Sequence, residues 1–206
     1  MRKRDLAVKR PSGEELDRLV ASFREIGTKH AAALVRHAAR VVLGASVMRV
    51  FRRGTNGPLR SALSRIDPSP LGALRSAHEY ERWHQHELDR IGRAIWATNA
   101  DNPRVQPGYK WGHGAKVLAL FVRELVLSSR YFPDAVAHRL EPWLYAPVDR
   151  IALGHLKRLG IARSASSIKQ IDSHAEFREI QNMLGEAAAR AGVPRVWFDD
   201  LWLERT

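Results

Sequence analysis

Residues 111–120 read WGHGAKVLAL: two glycines flank a histidine, and an apolar run follows with one lysine near its start. Gly112 and Gly114 permit a tight turn without Cβ clashes, and Gly114-Ala115 leads directly into the helix that carries Lys116. Exposed backbone amides at such a turn, aided by the helix N-terminus behind them, bind a phosphate without reading a base. Lys116 sits among Ala115, Val117, Leu118, Leu120 and Phe121, in a chain that has 7 lysines against 27 arginines. Burial favours a neutral amine over an ammonium, and the neutral amine is the form that attacks an electrophilic carbon. Taken alone, an ordinary interhelical turn and a lysine stem snorkelling to solvent explain the stretch better.

Helical spacing dominates on both sides of it. Ser12 and Glu15 form a capping-box pattern, and Leu16, Leu19, Val20, Phe23 and Ile26 recur at the three-and-four spacing of a buried helical stripe. This predicts a first helix over about 13–26 and a second from Lys29 through Val50, ending before the turn signal Gly54–Gly57, with Pro58 opening a short third. Tyr80, His84, Leu88, Ile91 and Ile95 mark one face of a long helix that residues 99–108 terminate. After the helix of Lys116 comes a proline-interrupted, packed connection, Tyr131 to Pro147. A helix from Asp149 to near Gly160 follows, then one behind the capping pair Ser173 and Glu176, and a last one opened by Pro194. The pattern holds no long alternating strand and no fixed-period repeat. The expectation is a single all-α domain over residues 1–206, with room for two lobes packed by the terminal helices.

Composition narrows the partners. At 206 residues, 45% hydrophobic and 27% charged, the chain is long enough for one substantial core. Its 34 basic and 22 acidic residues leave a formal charge of +12, which favours a polyanion such as nucleic acid. The absence of cysteine excludes a disulfide framework, a thiolate nucleophile, a cysteine zinc site and a cysteine-held iron–sulfur cluster. No signal-like apolar region follows the basic opening MRKRDLAVKR, and Arg36, His37, Arg40 and Arg49 interrupt the most apolar early segment. A cytoplasmic location without a membrane span is expected.

Downstream, residues 145–153 read YAPVDRIAL, where Pro147 fixes an extended approach and Asp149 stands at a helix start, able to cap backbone amides. Gly112-x-Gly114-x-Lys116-Val117 followed by Pro147-Val148-Asp149 resembles the helix-hairpin-helix DNA glycosylase superfamily, in particular its 8-oxoguanine glycosylase/lyase branch. The resemblance spans residues 109–153. It implies a helix-hairpin-helix glycosylase-like fold in which Gly112, His113, Gly114 and Ala115 grip a DNA phosphate, Lys116 attacks the sugar C1′, and Asp149 is the essential aspartate. Lys110 and Arg150, on either side, are further candidates for phosphate contact. The implied enzyme is a monomer acting on double-stranded DNA with the damaged base flipped out, and it uses no cofactor and no metal. Departures from the motif are Lys110-Trp111 where a proline is common, His113 for an aliphatic residue, and a separation of 33 positions between Lys116 and Asp149. A non-catalytic helix-hairpin-helix nucleic-acid-binding protein and an α-helical interaction protein are the alternatives.

Other candidates carry less. His84 and His86, two apart, do not share a helical face, which argues against a metal site on the helix of His78. Trp111, Trp143, Trp197 and Trp202 are candidates to stack on a flipped base, although aromatic residues at helical spacing usually bury area in a core.

Overall fold

The computed structural model describes residues 12–49, 51, 54–99, 109–158, 167–198 and 200. The chain divides into two compact units, residues 1–33 and 34–206. Every regular element among the described residues is helical, so the fold is all-α.

In the first unit the described chain is one amphipathic helix, the start of α1 (Gly13–Val41). Ser12 and Glu15 close the predicted capping box: the Ser12 N–H donates to Glu15 Oε2 at 2.7 Å, and Ser12 Oγ accepts from the Glu15 N–H at 3.3 Å. Two expectations fail here. The helices predicted over 13–26 and from Lys29 are one, because Gly27 is a lone glycine, costing a helix about 1 kcal/mol without ending it. The stripe Leu16, Leu19, Val20, Phe23 and Ile26 is exposed, not buried. Periodicity shows that a helix has an apolar face; it does not say what lies against it.

The second unit holds the core. Val35, Ala38 and Ala39 of α1 are buried in it, beside Val42 and Leu43 of the turn that precedes α2 (Ala45–Met48). Then come α3 (Asn56–Ser64), with Pro58 in its first turn, a 3-10 segment over Ser69–Ala73, and α4 (Ala77–Asn99). Helix α5 (Tyr109–Arg123) is central and touches α4, the later helix His174–Ala191 and a 3-10 segment before it. Its Ala115, Val117, Leu118, Phe121 and Val122 are buried, and truncating Leu118 or Phe121 to Ala would cost about 2–5 kcal/mol. A π-helical turn, Glu124–Ser128, extends α5.

The predicted packed connection is present: α6 (Asp134–Leu140) and a 3-10 turn, Glu141–Trp143, lead into an extended run to Asp149. Helix α7 (Arg150–Arg158) begins where the sequence places it. After a 3-10 turn, Ile168–Gln170, helix α8 (His174–Ala191) starts at Ser173, whose hydroxyl accepts the Glu176 N–H at 3.2 Å, and ends at Gly192 with φ of 70°. The helix expected after Pro194 is a 3-10 turn over residues 195–198; Leu201 and Trp202 lie outside the described residues, as do residues 100–108 and Gly160. Among the described residues no helix is long and apolar enough to cross a membrane.

Candidate functional site

Lys116 and Asp149, 33 residues apart in the chain, meet in space. Nζ of Lys116 lies 3.1 Å from Oδ2 of Asp149. The two side chains are 22% and 28% exposed, so the pair stands at the rim of the core where a solute can reach it.

Each partner is fixed by its element. Lys116 projects from α5 between the buried Ala115 and Val117, so the lysine is anchored on a rigid helix in the middle of the core. Asp149 is the residue before α7. Its Oδ1 accepts the N–H groups of Ile151 at 2.8 Å and Ala152 at 3.0 Å, which leaves Oδ2 for the lysine. One carboxylate thus caps a helix and meets an ammonium, and the cap fixes the rotamer that makes the second contact.

The segment leading to Asp149 is held from two sides. Gln181, fully buried on α8, accepts the Ala146 N–H at 2.9 Å and donates to the Ala146 carbonyl at 2.7 Å. Arg195 donates to the carbonyls of Leu144 at 2.9 Å and Trp143 at 2.6 Å, and lies 4.5 Å over the Tyr145 ring. A guanidinium spread over backbone carbonyls and an amide pairing with one peptide act as clamps on extended chain that has no sheet to join. Sequence reasoning missed both residues. Gln181 was open to discovery, being the polar residue on the face of α8 that also carries Phe177, Ile180, Leu184 and Ala188. Arg195 offered no such signal among 27 arginines.

The expected phosphate-gripping turn is not there. Gly112, His113, Gly114 and Ala115 lie inside α5 and are buried, so their amides are not offered to a nucleic-acid backbone. The Gly112 N–H donates to the Ile171 carbonyl at 2.9 Å. The glycines serve close packing instead. A Cβ on Gly112 would overlap the Ile168 carbonyl oxygen and approach Ile168 Cγ1 to 2.9 Å, and one on Gly114 would come within 3.1 Å of Leu88 Cδ1. His113 is buried edge-on against Phe51, with ring centroids 5.7 Å apart. The helix runs on through the glycines, and on different faces Gly112 admits the Ile168 backbone and Gly114 the Leu88 side chain. Lys110 lies in the first turn of α5, its side chain outside what is described, and Arg150 is exposed in the first turn of α7.

Of the tryptophans, Trp111 packs edge-on against His174 at 6.0 Å, and Trp197 donates from Nε1 to Glu141 Oε1 at 2.9 Å. Trp143 is half-buried. A cavity of about 230 Å³ opens beside α5 at Leu120, Arg123 and Glu124, walled by Val41, Val42 and Val47. Leu120 and Arg123 stand four and seven positions beyond Lys116, on its side of the helix.

The core also buries polar rings. His84 stacks on Phe177 at 5.7 Å and meets Tyr145 edge-on at 4.7 Å; burial, then the nearby His174 and Arg195, lower its pKa to about 3. The hydroxyl of Tyr80 is pushed up by its burial, and that of Tyr145 is raised to about 12, chiefly by burial and next by Glu81.

Comparison with models of known protein families, with curated proteins and with solved structures finds no match.

Proposed function

We propose that the chain is a DNA glycosylase with an associated lyase activity that removes an oxidised purine through Lys116. The observation that carries this reading is the contact of an amine on a buried helix with a carboxylate that is itself held by a helix cap. The charge of +12 supports a nucleic-acid partner. The buried Gly112–Ala115 segment has no part in it; phosphate contacts fall to exposed basic side chains such as Arg150.

The chemistry follows from the pair. Asp149 takes a proton from the Lys116 ammonium, and the neutral Nζ attacks C1′ of the flipped nucleotide. The C1′–N bond to the base breaks, the bonding electrons leave with the base, and the base picks up a proton. Loss of the amine proton and opening of the sugar ring at its oxygen give a Schiff base between Nζ and C1′. Removal of a C2′ proton then expels the 3′ phosphate oxygen, breaking the strand, and water releases the lysine. Asp149 passes the lysine's proton to the departing base, and the carboxylate so restored stabilises positive charge on the sugar.

Borohydride reduces a Schiff base to a stable secondary amine, which makes the reading testable. Duplex DNA containing 8-oxoguanine or an abasic site should be trapped covalently by the wild-type chain and not by Lys116→Gln. Asp149→Asn should lose base excision while keeping most of its DNA affinity. Salt-dependent DNA binding without trapping by the wild type would instead identify a non-catalytic nucleic-acid-binding protein.

A further inference from the structure

The exposed face of α1 has the makings of an interface. Leu16, Leu19, Val20, Phe23 and Ile26 are between 38% and 63% exposed, on a helix whose other faces carry charge. Contiguous apolar side chains in solvent mark an interaction surface. We infer that residues 13–33 form an antiparallel helix pair with a second copy of this chain, in place of the monomer expected from sequence.

Symmetry of the stripe names the occupant. Leu16, Leu19, Phe23 and Ile26 are spaced three, four and three residues apart, a pattern that reads the same from either end. Reversing one copy about Ala21 therefore superposes the set on itself: Leu16 meets Ile26 of the second copy, and Leu19 meets its Phe23. On one flank of this seam Val20 faces its own counterpart. On the other flank Ser22 does, and Glu15 comes opposite Lys29 at both ends.

Charge selects the antiparallel sense. Glu14, Glu15 and Asp17 outnumber Arg18 in the first turns of the helix, whereas Arg24 and Lys29 outnumber Glu25 toward the other end. A parallel pair would set acid against acid; the antiparallel pair sets acid against base and opposes the helix dipoles. Lys29 already bridges Glu25 at 2.7 Å, but its side chain is 75% exposed, and an ammonium has three donors to share. Two copies covering these side chains would remove on the order of 1,000 Å² from water, the lower limit for a specific interface. Association should therefore be reversible and concentration-dependent.

Sedimentation equilibrium of the full chain from micromolar to submillimolar concentration tests this. A monomer–dimer equilibrium is expected, weakened on the order of tenfold or more by Leu19→Glu with Phe23→Glu, with a Tm unchanged at concentrations where the wild type is monomeric. Glu15→Lys and Lys29→Glu should each weaken it, and the two together should restore it. Because the chain has no cysteine, Ser22→Cys adds a single thiol, which a short bifunctional maleimide should link to its counterpart in the second copy. A monomer at every concentration overturns the inference, as does a dimer indifferent to the paired Glu substitutions. A monomer whose Tm falls on those substitutions would assign the stripe to another segment of the same chain. Charge reversals that fail to compensate, or a thiol that does not link, overturn the antiparallel register.

Discussion

Asp149 divides its two oxygens between two tasks: Oδ1 accepts the N–H groups of Ile151 and Ala152, and Oδ2 lies 3.1 Å from Lys116 Nζ. The tasks separate by substitution. Asp149→Asn keeps an oxygen for the cap and removes the charge, whereas Asp149→Ala removes both. Chemical denaturation should find the Ala variant about 1 kcal/mol less stable than the Asn variant. Both should fail to excise a base, so lost activity in the Asn variant reports the carboxylate and not the helix.

Close packing at Gly112 gives a sharper contrast. A Cβ there would run into the Ile168 backbone, which cannot swing aside as a side-chain tip can. Gly112→Ala should destabilise by about 1–3 kcal/mol. Gly154, inside α7, has open space where its Cβ would be, and Gly154→Ala should stabilise by about 0.5–1 kcal/mol. Urea midpoints of the two variants moving in the same direction would refute the close-approach account.

Gln181 satisfies both polar groups of the Ala146 peptide, which is fully buried. Gln181→Leu fills similar volume but strands an N–H and a carbonyl, each at a cost of about 1–3 kcal/mol. The Ala146 amide should then exchange with solvent faster than the amides in the middle of α5. Equal exchange in variant and wild type would show that the clamp contributes nothing.

Acid should destabilise the fold through His84. Its pKa is near 3 when folded and about 6.5 when unfolded, so the unfolded chain binds the extra proton between those values. Stability from this residue is complete above about pH 6.5 and falls with pH down to about 3, by up to about 1.4 kcal/mol per pH unit. Neither ring nitrogen has a hydrogen-bond partner among the described residues. His84→Phe, amid Tyr145 and Phe177, should therefore flatten the acid limb without lowering stability at pH 7. Parallel pH profiles for variant and wild type would exclude His84 as the source.

Much of the helical order was legible because capping and periodicity are local. Ser12 with Glu15, Ser173 with Glu176, and Asp149 before α7 all cap where their residue types imply, since each acts within four residues. Two readings failed where the answer depended on a distant segment. WGHG has the composition of a turn, yet α5 runs through it because Ile168 and Leu88 press against its glycines. The Leu16–Ile26 stripe has the period of a buried face, yet stands in solvent.

The sequence by itself determined an all-helical chain, the capped starts of α1, α7 and α8, its basic charge and the two residues worth watching, because propensity, caps and charge are properties of short stretches. The tertiary structure decided that Lys116 and Asp149 meet, that Gln181 and Arg195 hold the chain leading to Asp149, and that GHG is packing surface and not a phosphate grip. Those outcomes depend on residues 26 or more positions apart coming within hydrogen-bonding or van der Waals distance, which no local pattern encodes.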